Sequence, residues 1–392
     1  MELKQLQNQL TNYRYSFNQK WKRPYPVRHS KEWWSFNCDV LRGKDLVYKV
    51  KNFGVKKLVD DLSGNQTEEF FKHIQCEKVL LIDISQRDGK GHFPQRYQNA
   101  KQLKQCKGFP KGEEMKWITD GVDLIFTCEI PYNYILFQFA KNKGIKTILN
   151  YNWEFLDYLR NPEYPMPDML LNPSTWHLEK TKKLFSEKCK VEHLPFPVNR
   201  EVLPFEKKTK AKTFIHIAGY QLFEDRNGTE SLIQSLPHIQ NKDIKIIIYS
   251  QHELPKIEDK RVVVLELNIK NYWELYEEGD VLILPRRYGG QSLQLNEAMS
   301  RGMIPLMPNM DPQNSFLCND NMFEVTTKTI RTRAEIDCAI INPHILANSI
   351  DKLANMNTEK IQTLSYFSDI YADTISWANM KEKYINLFKG LL

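Results

Sequence analysis

Two adjacent glycines, Gly289 and Gly290, follow the apolar run 280–285 (DVLILP) and lead into Gln291, Ser292, Leu293 and, farther on, Glu297. Glycine removes the side chain where a backbone must turn tightly or let another group come close. The segment 291–302, QSLQLNEAMSRG, places its leucines, Ala298 and Met299 at helical spacing, with Gly302 as a C-terminal stop. A glycine loop that feeds a helix N-terminus offers free N–H groups and the positive end of the helix dipole, which is the chemistry of an anion seat. Arg286 and Arg287 stand just before the glycines and Arg226 in an earlier loop, so cations are available to neutralise such an anion. The same residues also suit an ordinary strand-turn-helix connection with surface arginines, and on this stretch alone both readings stay open.

Those residues need elements to position them. From residue 77 the chain alternates short apolar runs with helical stretches: strands at 77–85, 122–129, 145–152 and 168–174, and helices at 132–144 and 175–188. Segment 204–212 is charged and proline-flanked and reads as a linker. A second series then places strands at 213–220, 243–250, 261–268, 280–285 and 303–309, with helices between them. This alternation predicts an α/β architecture of two Rossmann-like domains facing across a cleft. The boundaries are 77–203 and 204–373, after a basic, aromatic N-terminal extension at 1–76, with an amphipathic helix at 374–392 returning to the first domain.

In parallel sheets, ligands bind beyond the C-terminal ends of the strands. That rule makes 219–228 and 287–292 two walls of one pocket in the second domain. In the first domain it singles out Gly91 and His92 in the loop 83–96, Glu129, and Asn150, Asn152 and Glu154. Glu129 and Glu154 are the carboxylates there with catalytic potential, and Gly91, His92 and Asn152 are candidates to touch an acceptor. For each of them a structural or surface role is an equal reading.

Composition excludes several classes. Hydrophobic residues make up 41% and charged residues 26%, a globular profile, and no apolar run approaches the roughly 20 residues of a membrane span. The first residues lack the apolar core of a secretory signal, so a cytoplasmic location is expected. The seven cysteines and nine histidines are scattered, with no C-x-x-C or H-E-x-x-H, and no bound metal is expected. The net charge is +7, and residues 1–60 carry thirteen Lys/Arg against five Asp/Glu, a surplus larger than that of the whole chain. Basic residues interleaved with Trp and Tyr suit a phosphate-rich partner, nucleic acid or an anionic membrane surface. They equally suit an arm whose aromatics pack on the main domain, and peripheral membrane contact stays open.

Taken in order, these motifs resemble the GT-B glycosyltransferases, in particular the large retaining family that uses nucleotide-sugar donors. The family signature E-G-F-G-x-x-x-x-E-A-M-A-x-G-x-P is matched by GGQSLQLNEAMSRGMIP at 289–305. The segment 216–236, HIAGYQLFEDRNGTESLIQSL, is similar to the strand-end glycine, basic residue and helix of the donor half. NYWELYEEGDVLILP at 271–285 and the Ser376-Trp377 pair also fit, and the resemblance covers roughly residues 77–392.

The resemblance implies that Glu297 holds the ribose hydroxyls of the nucleotide, and that the backbone from Gly290 through Gln291, Ser292 and Leu293 approaches the sugar and phosphates. Gly219 and Tyr220 would end the other wall, with Arg226, aided by Arg287 or Arg286, neutralising the leaving diphosphate. Two positions depart from the family. Gly289 stands where a glutamate usually contacts the donor sugar, and Tyr220 replaces a common arginine, which implies an atypical donor sugar or one held by other groups. The implied reaction is sugar transfer with retention, from a UDP- or GDP-linked co-substrate, without metal or other cofactor. The acceptor is a glycan, polyol or lipid-linked sugar. Two alternatives remain: transfer to a hydroxylated base in DNA, as the basic arm suggests, or nucleotide-sugar binding without turnover.

Overall fold

The computed structural model describes residues 46–51, 54–57, 79–83, 123–128, 135–219, 224–251, 253–266, 272–290, 292–332 and 334–392. Among the described residues the first sheet runs in the order β2 (Gly54–Lys57), β1 (Leu46–Lys51), β3, β4, β5, β6 and β7. Its parallel part is β3 (Val79–Asp83), β4 (Leu124–Cys128), β5 (Lys146–Asn150), β6 (Met169–Asn172) and β7 (Lys190–His193). The short apolar runs of β4, β5 and β6 are buried because helices cover a parallel sheet, leaving no polar face to alternate with. Helix α1 (Ile135–Asn142) connects β4 to β5, and α2 (Leu178–Phe185) connects β6 to β7.

Strands β1 (Leu46–Lys51) and β2 (Gly54–Lys57), within the basic N-terminal segment, add antiparallel to the edge beside β3. The remainder of that segment, with its basic aromatic run at 13–34, lies outside the described residues.

The second sheet runs β10-β9-β8-β11-β12-β13, all parallel, from β8 (Thr213–Gly219), β9 (Lys245–Ser250), β10 (Val262–Glu266), β11 (Val281–Ile283), β12 (Ile304–Pro308) and β13 (Met322–Phe323). Helix α3 (Thr229–Ser235) follows β8 and α4 (Leu293–Ser300) follows β11. On one side Phe214, Ile246, Ile248, Val281, Ile283 and Leu306 form a core with the helix α5 (Pro343–Ala354). On the other, Ile215, Ile247, Leu282 and Leu284 pack against Leu295, Ala298 and Met299 of α4. The charged linker is held in place: the Lys208 N–H donates to Ser365 Oγ at 3.0 Å, and Arg301 pairs with Glu206 at 2.8 Å.

The hairpin β14 (Thr326–Arg331) and β15 (Glu335–Ile340) is a separate two-stranded sheet. It buries Ile330, Ile336 and Cys338 against Leu149, Tyr151, Trp153 and Leu170 of the first sheet's core. The hairpin therefore belongs to the second half by sequence and to the first by packing. Helix α6 (Thr358–Thr374) lies over α4, and α7 (Trp377–Lys389) crosses back to the first sheet. There Phe388 meets the Phe126 ring at 5.7 Å, and the Tyr384 hydroxyl donates to the Pro195 carbonyl at 3.1 Å. Among the described residues no helix is long and apolar enough to cross a membrane.

Candidate active site

The loop after β11 is built around its two glycines. Gly289 has φ 131°, a backbone region that only glycine adopts without strain. A Cβ placed there would collide with the Arg286 guanidinium and lie 2.9 Å from Arg226 Nη2. The space freed by Gly289 is thus taken by two guanidiniums. A Cβ on Gly290 would lie 2.5 Å from Asn152 Oδ1, a side chain of the first half. Both glycine carbonyls accept from the buried Gln313 Nε2, at 3.3 and 3.4 Å. Ser292 then caps α4, its Oγ accepting the Leu295 N–H at 3.4 Å, and Leu293 is the first helical residue.

The loop after β8 is locked onto this one. Gly219 has φ 58°, and Asn227 Nδ2 donates to the Ala218 carbonyl at 2.7 Å, closing the turn. Gly228 has φ 72°, and a Cβ there would collide with the Pro285 carbonyl, so the two strand-end loops touch backbone to backbone. The Arg287 N–H donates to the Arg226 carbonyl at 2.8 Å. Beneath them the fully buried His216 bridges the Ile283 carbonyl (2.9 Å) and the Thr229 hydroxyl (2.8 Å), and burial pushes its imidazole down to about 4.

Between these walls lies Arg226, its guanidinium near the Phe155 ring (5.5 Å) on one side and the Tyr288 ring (5.7 Å) on the other. Its Nη2 donates to Glu154 Oε1 at 2.6 Å, and the Glu154 carboxylate also accepts the Gly290 N–H at 3.2–3.3 Å. Glu154 is fully buried. It lies in the 3-10 turn Trp153–Phe155 beyond the C-terminal end of β5, and its carbonyl accepts the Thr332 hydroxyl of the hairpin at 3.1 Å. Glu297 is also buried and accepts the Tyr276 hydroxyl on Oε2 at 2.5 Å; burial and the nearby carboxylate hold that phenol well above its ordinary value. Arg287 donates to the Ala339 carbonyl at 2.7 Å and to the Glu224 carbonyl.

No family model and no curated protein sequence matches the chain. Solved structures do. Sucrose-phosphate synthase from Thermosynechococcus elongatus is similar at a TM-score of 0.53 and 13% identity, over 76% of this chain and 77% of that one. A glycosyltransferase from Rickettsia africae is similar at 0.51 and 13%, over 69% and 77%. Anabaena HepE, solved in complex with UDP and glucose, is similar at 0.51 and 11%, over 69% and 79%. The chain has the GT-B fold. At these identities the likeness is one of fold, and the site rests on this chain's own residues.

In this GT-B fold, Glu154 and Asn152 from the first sheet meet Arg226, Gly289 and Gly290 from the second. Gly219 ends β8, Ser292 caps α4, Leu293 and Glu297 lie within α4, and Arg287 reaches the hairpin through the Ala339 carbonyl. Gly91, His92, Glu129, Tyr220 and Gln291 lie outside the described residues. No group of three metal-ligating side chains occurs among those described.

Several residues escape the sequence reading. Gln313, Tyr276 and Thr332 act through contacts 21–178 residues away, which no local pattern signals. His177 does carry a signal, a Trp-His pair at a strand end. It adopts φ 52° beside the Trp153 and Trp176 rings, and burial lowers its imidazole's proton affinity.

Proposed function

We propose that the chain is a glycosyltransferase that moves a sugar from a nucleotide-sugar donor to an acceptor hydroxyl with retention of configuration. The observation that carries this reading is the meeting of Arg226, the Gly289–Gly290 backbone and Glu154 where the strand ends of the two sheets converge. A guanidinium and backbone N–H groups in a buried setting suit the charge that develops on a leaving diphosphate. Glu297, oriented by Tyr276, suits ribose hydroxyls, because a carboxylate accepts two such donors. The UDP bound in the similarly folded Anabaena HepE favours a uridine nucleotide, with GDP as the other choice. The nucleotide sugar is a co-substrate, and positioning and charge neutralisation do the work without a bound metal or cofactor.

With arginines crowding Gly289 where a sugar-reading carboxylate would grow, the donor is an atypical sugar or one whose hydroxyls are held by other groups. The acceptor is a glycan, polyol or lipid-linked sugar. A cytoplasmic setting fits the free thiols Cys189, Cys318 and Cys338.

A thermal-shift screen against UDP, GDP and their sugars tests the reading, since a ligand at a hundred times its Kd stabilises by about 2.7 kcal/mol. Release of nucleoside diphosphate with an acceptor panel then separates an enzyme from a silent binder. No shift with any nucleotide would sink the proposal, and preferred turnover of UDP-glucose would sink its donor assignment. The basic aromatic N-terminal segment favours a second reading, a hydroxylated DNA base as acceptor. Steeply salt-dependent retardation of DNA on a gel would support it, and full activity on a small acceptor after removal of residues 1–60 would end it.

A further inference from the structure

We propose that the Glu154 carboxylate is an internal occupant of the anion seat, and that a diphosphate ligand binds by displacing it. The inference rests on the reading above only in its ligand class. A guanidinium N–H together with a backbone N–H at a glycine turn is the donor set of a phosphate oxygen. Here that set is filled from within: Arg226 Nη2 at 2.6 Å from Oε1, and Gly290 N at 3.2–3.3 Å from both oxygens. Glu154 is fully buried, and while it holds these donors no second anion can use them.

Glu154 is an incomplete partner for this seat. Arg226 Nε is buried without a hydrogen-bond partner, although Nε and Nη2 together form the fork that an oxyanion takes side-on. A phosphate, with more oxygens than a carboxylate approaching from one side, can satisfy both nitrogens. Two anions at one seat repel, so they exclude each other. The exchange requires the side chain alone to move, because the Glu154 carbonyl stays anchored to the Thr332 hydroxyl at 3.1 Å. Glu154 is thereby specificity-determining: neutral or weakly charged ligands cannot evict it, and a diphosphate can.

Titration calorimetry of the full chain with inorganic pyrophosphate tests this, comparing wild type with Glu154→Gln, Glu154→Asp and Arg226→Gln. Removing the internal charge in Glu154→Gln should tighten pyrophosphate binding by about tenfold or more. The shorter, still charged Glu154→Asp should tighten it less, and Arg226→Gln should abolish it. If Glu154→Gln fails to fold by circular dichroism, the Asp variant decides. Equal or weaker binding in the deciding variant, undiminished binding in Arg226→Gln, or no binding by any of the proteins overturns the proposal. Sugar turnover is not read, so an active transferase can fail this test and an inactive chain can pass it.

Discussion

Two buried carboxylates flank the same glycine loop, and they are held in opposite ways. Glu297 sits on α4 and takes its hydrogen bond from Tyr276, a residue of the same half that packs in the same core. Glu154 comes from the first half and takes its partners, Arg226 and Gly290, from the second. The first arrangement is fixed by short connections within one layered unit. The second exists only while the two halves are apposed. A buried ion pair offsets much of its attraction by desolvation, so the Arg226–Glu154 pair is weak evidence for stability and fits a seat whose occupant changes. One end of the site is therefore preorganised and the other is conditional.

The largest effect should come from breaking the conditional end. Arg226→Met leaves Glu154 as a buried charge without its cation and should cost about 3–5 kcal/mol in chemical denaturation. Adding Glu154→Gln to that variant should recover much of the loss, since the stranded charge is gone. A cost below about 1 kcal/mol for Arg226→Met would erase the distinction between the two ends.

Acid should next reveal the bracing beneath the two strand-end loops. His216 ties β8 to β11 and α3 as a neutral ring, and burial pushes it down to about 4 from its ordinary 6.5. The folded value lies below the unfolded one, so the contribution is complete above pH 6.5 and is lost as pH falls toward 4. A depression of that size corresponds to about 3 kcal/mol. His216→Asn should flatten that limb of the stability profile, and an unchanged limb would remove His216 from the account.

The strands were legible because apolar runs bounded by polar residues mark buried parallel sheet, and β5, β8, β9, β11 and β12 follow that rule, while β10 lies at the sheet edge with Val263 exposed. The glycine loop and Glu297 were legible because their chemistry is local in sequence. The occupant of the Gly289 space was not: glycine signals a close approach but not what approaches, and Arg286 and Arg226 are what the fold brings there. Arg226 could be read as a cation for a ligand, but its pairing with Glu154, 72 residues away, depends on how the two halves meet. The hairpin β14–β15 stayed hidden because Thr326, Thr327, Lys328 and Thr329 are exposed and only Ile330, Ile336, Cys338 and Ala339 are buried, too sparse an apolar pattern to declare two strands. Segment 270–279 reads as a helix in the sequence and contains the 3-10 turn Tyr272–Tyr276, which aims the Tyr276 hydroxyl at Glu297.

That hydroxyl supplies the finest test of the comparison. Tyr276→Phe keeps the ring in its buried site and removes one donor from the Glu297 carboxylate, a change worth about 2 kcal/mol for a hydrogen bond to a charged group. Because Tyr276 and Glu297 belong to one half, the loss should appear as lower stability with the Arg226–Glu154 end untouched. Pyrophosphate affinity should therefore stay at the wild-type value, while UDP affinity, which adds the ribose, should weaken severalfold. A parallel loss of both affinities would mean that the two ends act as one unit, and the separation of preorganised and conditional carboxylates would have to be given up. An unchanged UDP affinity, with the stability loss present, would instead move the ribose away from Glu297.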